Sequence, residues 1–140
     1  MPQPLPPINY LTADDVHAMN AEILRQEGDQ SLLRDSGALE SAIMRPQMAA
    51  YYEQADLIAQ ASLLIAGLAM AHPFLDGNKR TAAIAGDAFL LLNGYEIVEM
   101  SDAYGRQLEA LVTYQDKLSS ATERFTAWLQ QHVAPVEPHI

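Results

Sequence analysis

His72, Asp76, Lys79 and Arg80 fall within nine positions, in the stretch AHPFLDGNKRTA that runs from Ala71 to Ala82. One apolar run ends at His72-Pro73, and a second begins after the adjacent cations. A helix restarting at Asn78 has first N–H groups without intrahelical partners, which makes its start an anion cradle. Gly77 allows the backbone a conformation that other residues resist. Cations in the first turn of a helix cost ~0.3–1 kcal/mol unless something negative sits beside them. Lys79 and Arg80 break that rule, and such breaks are expected at functional sites. Phosphate is the natural compensating ligand, with Gly77, Asn78, Lys79 and Arg80 as its binding residues. Asp76 is then placed to hold the Mg²⁺ that accompanies a nucleotide, because Mg²⁺ prefers one or two carboxylates plus phosphate oxygens.

Each residue also has a duller use. A lone histidine at a helix end is more often a cap, a lone aspartate before glycine a turn residue, and an isolated Lys-Arg pair a solvated face. Phe74 and Leu75 are expected to plug the core and anchor the loop. The combination carries the functional reading. It is not a Walker A loop: His72 stands five positions before Gly77, and Asn78 occupies the place of the lysine. Zinc is disfavoured because no third ligand lies at metal-ligand spacing from His72 and Asp76.

These residues need a framework, and composition supplies one. The chain has 140 residues, 49% of them hydrophobic and 19% charged, which fits one globular domain with a sizeable core. Its 8 Lys and Arg against 18 Asp and Glu give a formal charge of −10, which argues against direct nucleic-acid binding. No cysteine is present, which is compatible with the reducing cytoplasm. The start, MPQPLPPI, has neither the cations nor the apolar core of a secretory signal. The longest apolar run, ASLLIAGLAMA, falls far short of the ~20 residues that span a bilayer.

Apolar periodicity points to an all-α bundle of about five or six helices. The Pro-rich residues 1–8 are expected to form an extended arm. Thr12 caps a helix with acids in its first turn, and Val16, Met19, Ile23 and Leu24 follow at helical spacing up to Gly28. Residues 28–37 read as a connector with turn residues at both ends, in the manner of a short hairpin. A helix from about Gly37 is expected to stop before Pro46. Asp56 to Ala71 is apolar on nearly every face and marks the central helix. The next helix starts near Asn78, carries Ile84, Ala88, Leu91 and Leu92, and ends at Asn93-Gly94. An extended link follows, then a helix from a Ser101 cap to about Lys117. A last helix starts from a capping box at Ser120 to Glu123. Residues 132–140 read as a frayed tail. No linker divides the chain, so residues 1–140 form one domain.

HPFLDGNKRTA resembles the signature of the Fic/Doc superfamily, and the lysine between Asn78 and Arg80 points to its death-on-curing (Doc) branch. YLTADDV, LRDSGALESAIMRPQ and FLLLNGYEI resemble Doc-type sequences in order and spacing, so the similarity covers roughly residues 8–130. The resemblance implies an all-α Fic-like fold with the motif between two central helices and a small flap beside it, at residues 28–35. It implies that His72 is the general base for a target hydroxyl and that Asp76 positions Mg²⁺. Gly77 and Asn78 would form the anion pocket, with Lys79 and Arg80 on the phosphates of ATP. The flap would align a target segment by strand addition, with Arg34 and Asp35 orienting it.

By the same resemblance the chain is a cytoplasmic toxin that phosphorylates a Ser or Thr of a translation factor, elongation factor Tu, and is silenced by a separate antitoxin. The motif is mixed, however. Doc toxins often carry Ala where Gly77 stands, and AMP-transferring Fic proteins carry a second Gly where Lys79 stands. Lys79 is read as filling the cradle and turning the nucleotide to present its γ-phosphoryl group. Transfer of AMP is the alternative, and a catalytically inactive binding module is a third reading. The inhibitory pattern Ser/Thr-x-x-x-Glu-Gly/Asn is not matched: SGALES ends in Ser, and ILRQEG begins with Ile.

Overall fold

The computed structural model describes residues 7–99, 102–114 and 118–137. Six helices and two short strands follow in the order α1 (Ala13–Gln26), α2 (Ser36–Glu53), α3 (Leu57–Ala71), α4 (Asn78–Leu92), β1 (Tyr95–Ile97), α5 (Ala103–Thr113), α6 (Leu118–His132) and β2 (Val133–Pro135). The architecture is the expected all-α bundle. Helix α3 lies at its centre, packed against α2, α4, α5 and α6.

The first three helices start from side-chain caps. Thr12 accepts from the Asp15 N–H at 3.1 Å while the Asp15 carboxylate accepts from the Thr12 N–H at 2.8 Å, a complete capping box. Asp35 accepts from the Ala38 N–H at 3.0 Å and Asp56 from the Ala59 N–H at 2.8 Å. Ile8 packs on the core, and Tyr10 donates its hydroxyl to Gln60 at 2.8 Å. Residues 1–6 lie outside the described residues.

Helix α2 does not stop before Pro46. It runs on to Glu53 and ends at Gln54, whose φ is 55°. A proline inside a helix costs ~3 kcal/mol. Here its ring is buried together with Leu39, Ala42, Ile43 and Ala49, and that burial holds the helix together.

The apolar stripe of α4 lies on a different face from the expected one. Ala82, Ala85, Gly86, Phe89 and Leu90 are buried, while Ile84, Leu91 and Leu92 are exposed. Small residues win because they let α3 and α4 approach closely. A methyl group on Gly86 would collide with Ile65 of α3. The Ile65 side chain of α3 therefore rests directly against the α4 backbone at Gly86.

The tail is not frayed up to Pro135. β2 pairs antiparallel with β1, with Tyr95 opposite Pro135 and Ile97 opposite Val133. Residues 138–140 lie outside the described residues. Helix α6 begins at Leu118, so Ser120 to Glu123 lie inside it rather than capping it. Ala121, Phe125 and Leu129 are buried one turn apart and carry the helix through that stretch. The Ser101 cap and the Lys117 end expected for α5 lie outside the described residues, and the helix closes at Thr113.

Candidate active site

Helix α3 ends where the chemistry begins. His72 is its C-cap, in the left-handed region with φ 51°, and its side chain is exposed. A non-glycine residue there is uncommon and needs support. Arg34 provides it: Nε donates to the His72 carbonyl at 2.6 Å and a terminal guanidinium nitrogen to the Ala71 carbonyl at 2.8 Å. The fork satisfies two carbonyls that the helix end leaves open and holds the imidazole-bearing residue in place.

The 28–35 segment lies against the loop as expected, but its pairing is with the loop rather than with itself. Leu33 forms an antiparallel bridge with Phe74. The N–H groups of Arg34 and Asp35 both donate to the Pro73 carbonyl, at 2.7 and 3.0 Å, and the Leu75 N–H donates to Leu32 at 2.9 Å. Arg34 is thus brought to His72, while the Asp35 side chain caps α2. Phe74 is the buried plug, and Leu75 is not: its side chain is 61% exposed and lines the site.

Asn78 braces the loop with both ends of its amide. It accepts from the Phe74 N–H at 3.0 Å and donates to the Phe74 carbonyl at 2.8 Å. Gly77 caps α4 with φ 77° and offers no side chain to the helix start. The first helical bond is the Thr81 N–H to the Gly77 carbonyl, which leaves the N–H groups of Asn78, Lys79 and Arg80 without intrahelical acceptors. One oxygen of Asp76 accepts from the Gly77 N–H at 2.7 Å.

An open pocket of about 430 Å³ is lined by His72, Leu75, Asp76, Gly77, Asn78, Lys79 and Arg80. All the motif residues singled out in the sequence therefore share one cavity. The two cations are balanced within the chain. Lys79 donates to Glu109 of α5 at 2.8 Å, and Arg80 pairs with Glu27 at the end of α1. Lys79 thus reaches toward α5 instead of filling the cradle. Glu27 is the acid of ILRQEG, so this stretch meets Arg80 although its first residue departs from the inhibitory pattern.

The chemistry of the donor set fits a nucleotide with Mg²⁺. Open N–H groups and two cations suit phosphate oxygens, and a single exposed carboxylate suits a cation shared with them. Among the described residues no group of three His, Asp or Glu side chains gathers that could hold a metal alone. No helix among them is long and apolar enough to cross a membrane.

Sequence reading passed over Asn20, Ser31 and Thr81, which lie directly behind the loop. Asn20 is fully buried and donates to the Asp76 carbonyl at 2.9 Å and to the Thr81 hydroxyl at 3.0 Å. A signal was present: Asn20 interrupts the buried stripe of Val16, Ile23 and Leu24 at helical spacing.

The model of the Fic/DOC family matches residues 10–90. The chain is also 40% identical over 90 residues to the protein named Toxin Doc from Mycolicibacterium smegmatis, covering 63% of this chain and 67% of that one. The matched family region spans the capped start of α1, the 28–35 segment, the loop and most of α4.

Proposed function

Because this chain belongs to the Fic/DOC family, we propose that it is the toxin of a toxin–antitoxin pair, a kinase that moves the γ-phosphoryl group of ATP to a Ser or Thr hydroxyl. Its target class is a translation factor, elongation factor Tu by family resemblance, and its place of action is the cytoplasm. The observation that carries the reading is the uncapped, doubly cationic start of α4, which shares one pocket with His72 and Asp76.

Phosphoryl transfer depends on positioning and charge neutralisation more than on covalent help. His72 takes the proton of the target hydroxyl as that oxygen bonds the γ-phosphorus and the bond to the departing ADP oxygen breaks. Arg34 fixes the backbone from which His72 acts. The free N–H groups of α4 and the Arg80 guanidinium receive phosphate oxygens, with Arg80 exchanging Glu27 for the nucleotide. Asp76 would hold Mg²⁺ together with those oxygens, and the ion would supply charge neutralisation. The 32–35 backbone, already bonded to the loop, is the edge on which a target segment aligns. Silencing falls to an antitoxin segment from another chain.

Transfer of AMP is the second reading, favoured by one observation: Lys79 is drawn to Glu109 and leaves the cradle unfilled. Labelled ATP separates the two. A kinase gives the translation factor label from γ-³²P-ATP and none from α-³²P-ATP, with a mass gain matching phosphate. Label arriving from the α position overturns the kinase assignment.

A further inference from the structure

Asn20 lies on the core-facing side of α1, where a polar side chain is costly unless every group is paired. Every group is. Its amide nitrogen donates to the Asp76 carbonyl at 2.9 Å and the Thr81 hydroxyl at 3.0 Å, and its oxygen accepts from the Ser31 hydroxyl at 2.5 Å. The Asp76 carbonyl can only accept, which fixes the orientation of the amide. Three parts of the site meet on this one side chain: the 28–35 segment through Ser31, the loop through Asp76 and the first turn of α4 through Thr81. The contact is close, since a Cβ on Gly77 would stand 3.1 Å from the Asn20 amide nitrogen.

We propose that Asn20 is a positioning residue for the nucleotide end of the site, and that Ser31 links that positioning to the 28–35 segment. The inference rests on the reading of the α4 start as a nucleotide cradle. Asp76 carries two tasks on one residue. Asp76 lines the pocket and its carboxylate accepts from the Gly77 N–H, while its carbonyl is held from behind by Asn20. Pulling on that carbonyl sets the Asp76–Gly77 peptide, and with it the aim of the carboxylate and of the open N–H groups. Because the same amide accepts from Ser31, a target segment settling on residues 32–35 is felt at Asp76 through two hydrogen bonds. The fully satisfied network is what makes the turn rigid.

The test uses the full chain and Mg²⁺ with ADP, which binds without turnover. Asn20→Asp keeps the shape but sets an acceptor against the Asp76 carbonyl. Asn20→Leu removes all three bonds while keeping an apolar fill, and serves where the charged variant fails to fold. Calorimetry should show Mg·ADP binding weakened by about 10-fold or more, the lower end of what lost outer-shell partners cost a metal site. Hydrogen exchange should quicken at residues 77–81 and stay unchanged in α2 and α3. Ser31→Ala should keep most of the affinity but quicken exchange at the same amides. A folded variant with unchanged exchange at 77–81 and unchanged Mg·ADP affinity overturns the proposal. If the wild-type chain fails to bind Mg·ADP while the variants still free residues 77–81, the positioning role stands and the nucleotide reading fails.

Discussion

The two central helices begin in opposite ways. Helix α3 starts from Asp56, whose carboxylate accepts from the Ala59 N–H, and no cation follows in its first turn. Helix α4 starts from Gly77, which gives it no side-chain cap, and Lys79 and Arg80 follow at once. Both helices pack on the same core, so burial does not explain the difference. The start of α3 gives one of its open N–H groups a side-chain acceptor, as do the starts of α1 and α2. The start of α4 leaves them free and adds positive charge, which suits a site whose missing partner is a ligand. Its cations are held meanwhile by Glu27 and Glu109, exposed pairs worth ~0–1 kcal/mol each and easily exchanged for phosphate.

If the α4 start is a catalytic end and the α3 start a structural one, the largest effect belongs to the base that faces the cradle. His72→Ala should lower phosphoryl transfer by ~10²–10⁴-fold. The side chain is exposed, so the circular dichroism spectrum and melting temperature should stay near those of wild type. Cells that are arrested by the wild-type chain should tolerate this variant. A fully active His72→Ala protein would make the residue a helix cap and nothing more. Asp76→Asn should act next most strongly, by raising the Mg²⁺ concentration needed for half-maximal transfer. An unchanged Mg²⁺ dependence would assign Asp76 to the turn alone.

Exchanging the two kinds of helix start tests the contrast directly. Asp56→Ala removes a cap and should cost ~0.5–2 kcal/mol in denaturant unfolding while leaving Mg·ATP affinity unchanged. Gly77→Asp gives α4 the kind of cap that α3 has. Its carboxylate would occupy the anion position, and its Cβ would press on Asn20 and Leu24 at φ 77°. The strain should cost ~1–2 kcal/mol, and Mg·ATP binding should be lost. Equal nucleotide affinity in the two variants would erase the distinction between the helix starts.

The same contrast explains which features could be seen in the sequence. The cap of α1, the apolar run of α3 and the cationic start of α4 were legible because each is a local pattern of a few residues. What stayed hidden depends on partners far along the chain. Pro46 reads as a helix stop until its ring is buried with Leu39, Ala42, Ile43 and Ala49. The buried face of α4 cannot be chosen from Ile84, Leu91 and Leu92, because the small residues Ala82, Ala85 and Gly86 matter only once α3 lies across them. Nothing in VAPVEP announces a strand until Tyr95–Ile97 lies beside it. Arg34 was noted, but its hold on His72 is a contact across 38 positions. Asn20 was the one long-range feature with a local mark, a polar residue on an apolar stripe.

The smallest expected effect concerns charge on α4 that no ligand can compensate. Asp87 lies half-buried two turns into the helix, and its carboxyl pKa is raised by burial first, then by the nearby Glu99 and Glu96. The folded protein therefore holds this proton more tightly than the unfolded chain does. Protonation as pH falls through the raised value favours folding, so stability should decline with rising pH between the ordinary carboxylate range and that value. Asp87→Asn should remove this decline and leave the variant slightly more stable at neutral pH, by less than ~1 kcal/mol because the group is partly screened by solvent. Urea unfolding across acidic to neutral pH measures both. Mg·ATP affinity should not change, because Asp87 does not line the pocket. On the proposed reading, the cations at the α4 start and the acid at Asp87 then differ in kind: the first exchange Glu27 and Glu109 for a ligand, and the second is a standing electrostatic penalty. A pH profile identical to wild type would show that solvent already neutralises Asp87, and weakened nucleotide binding would show that its field reaches the cradle.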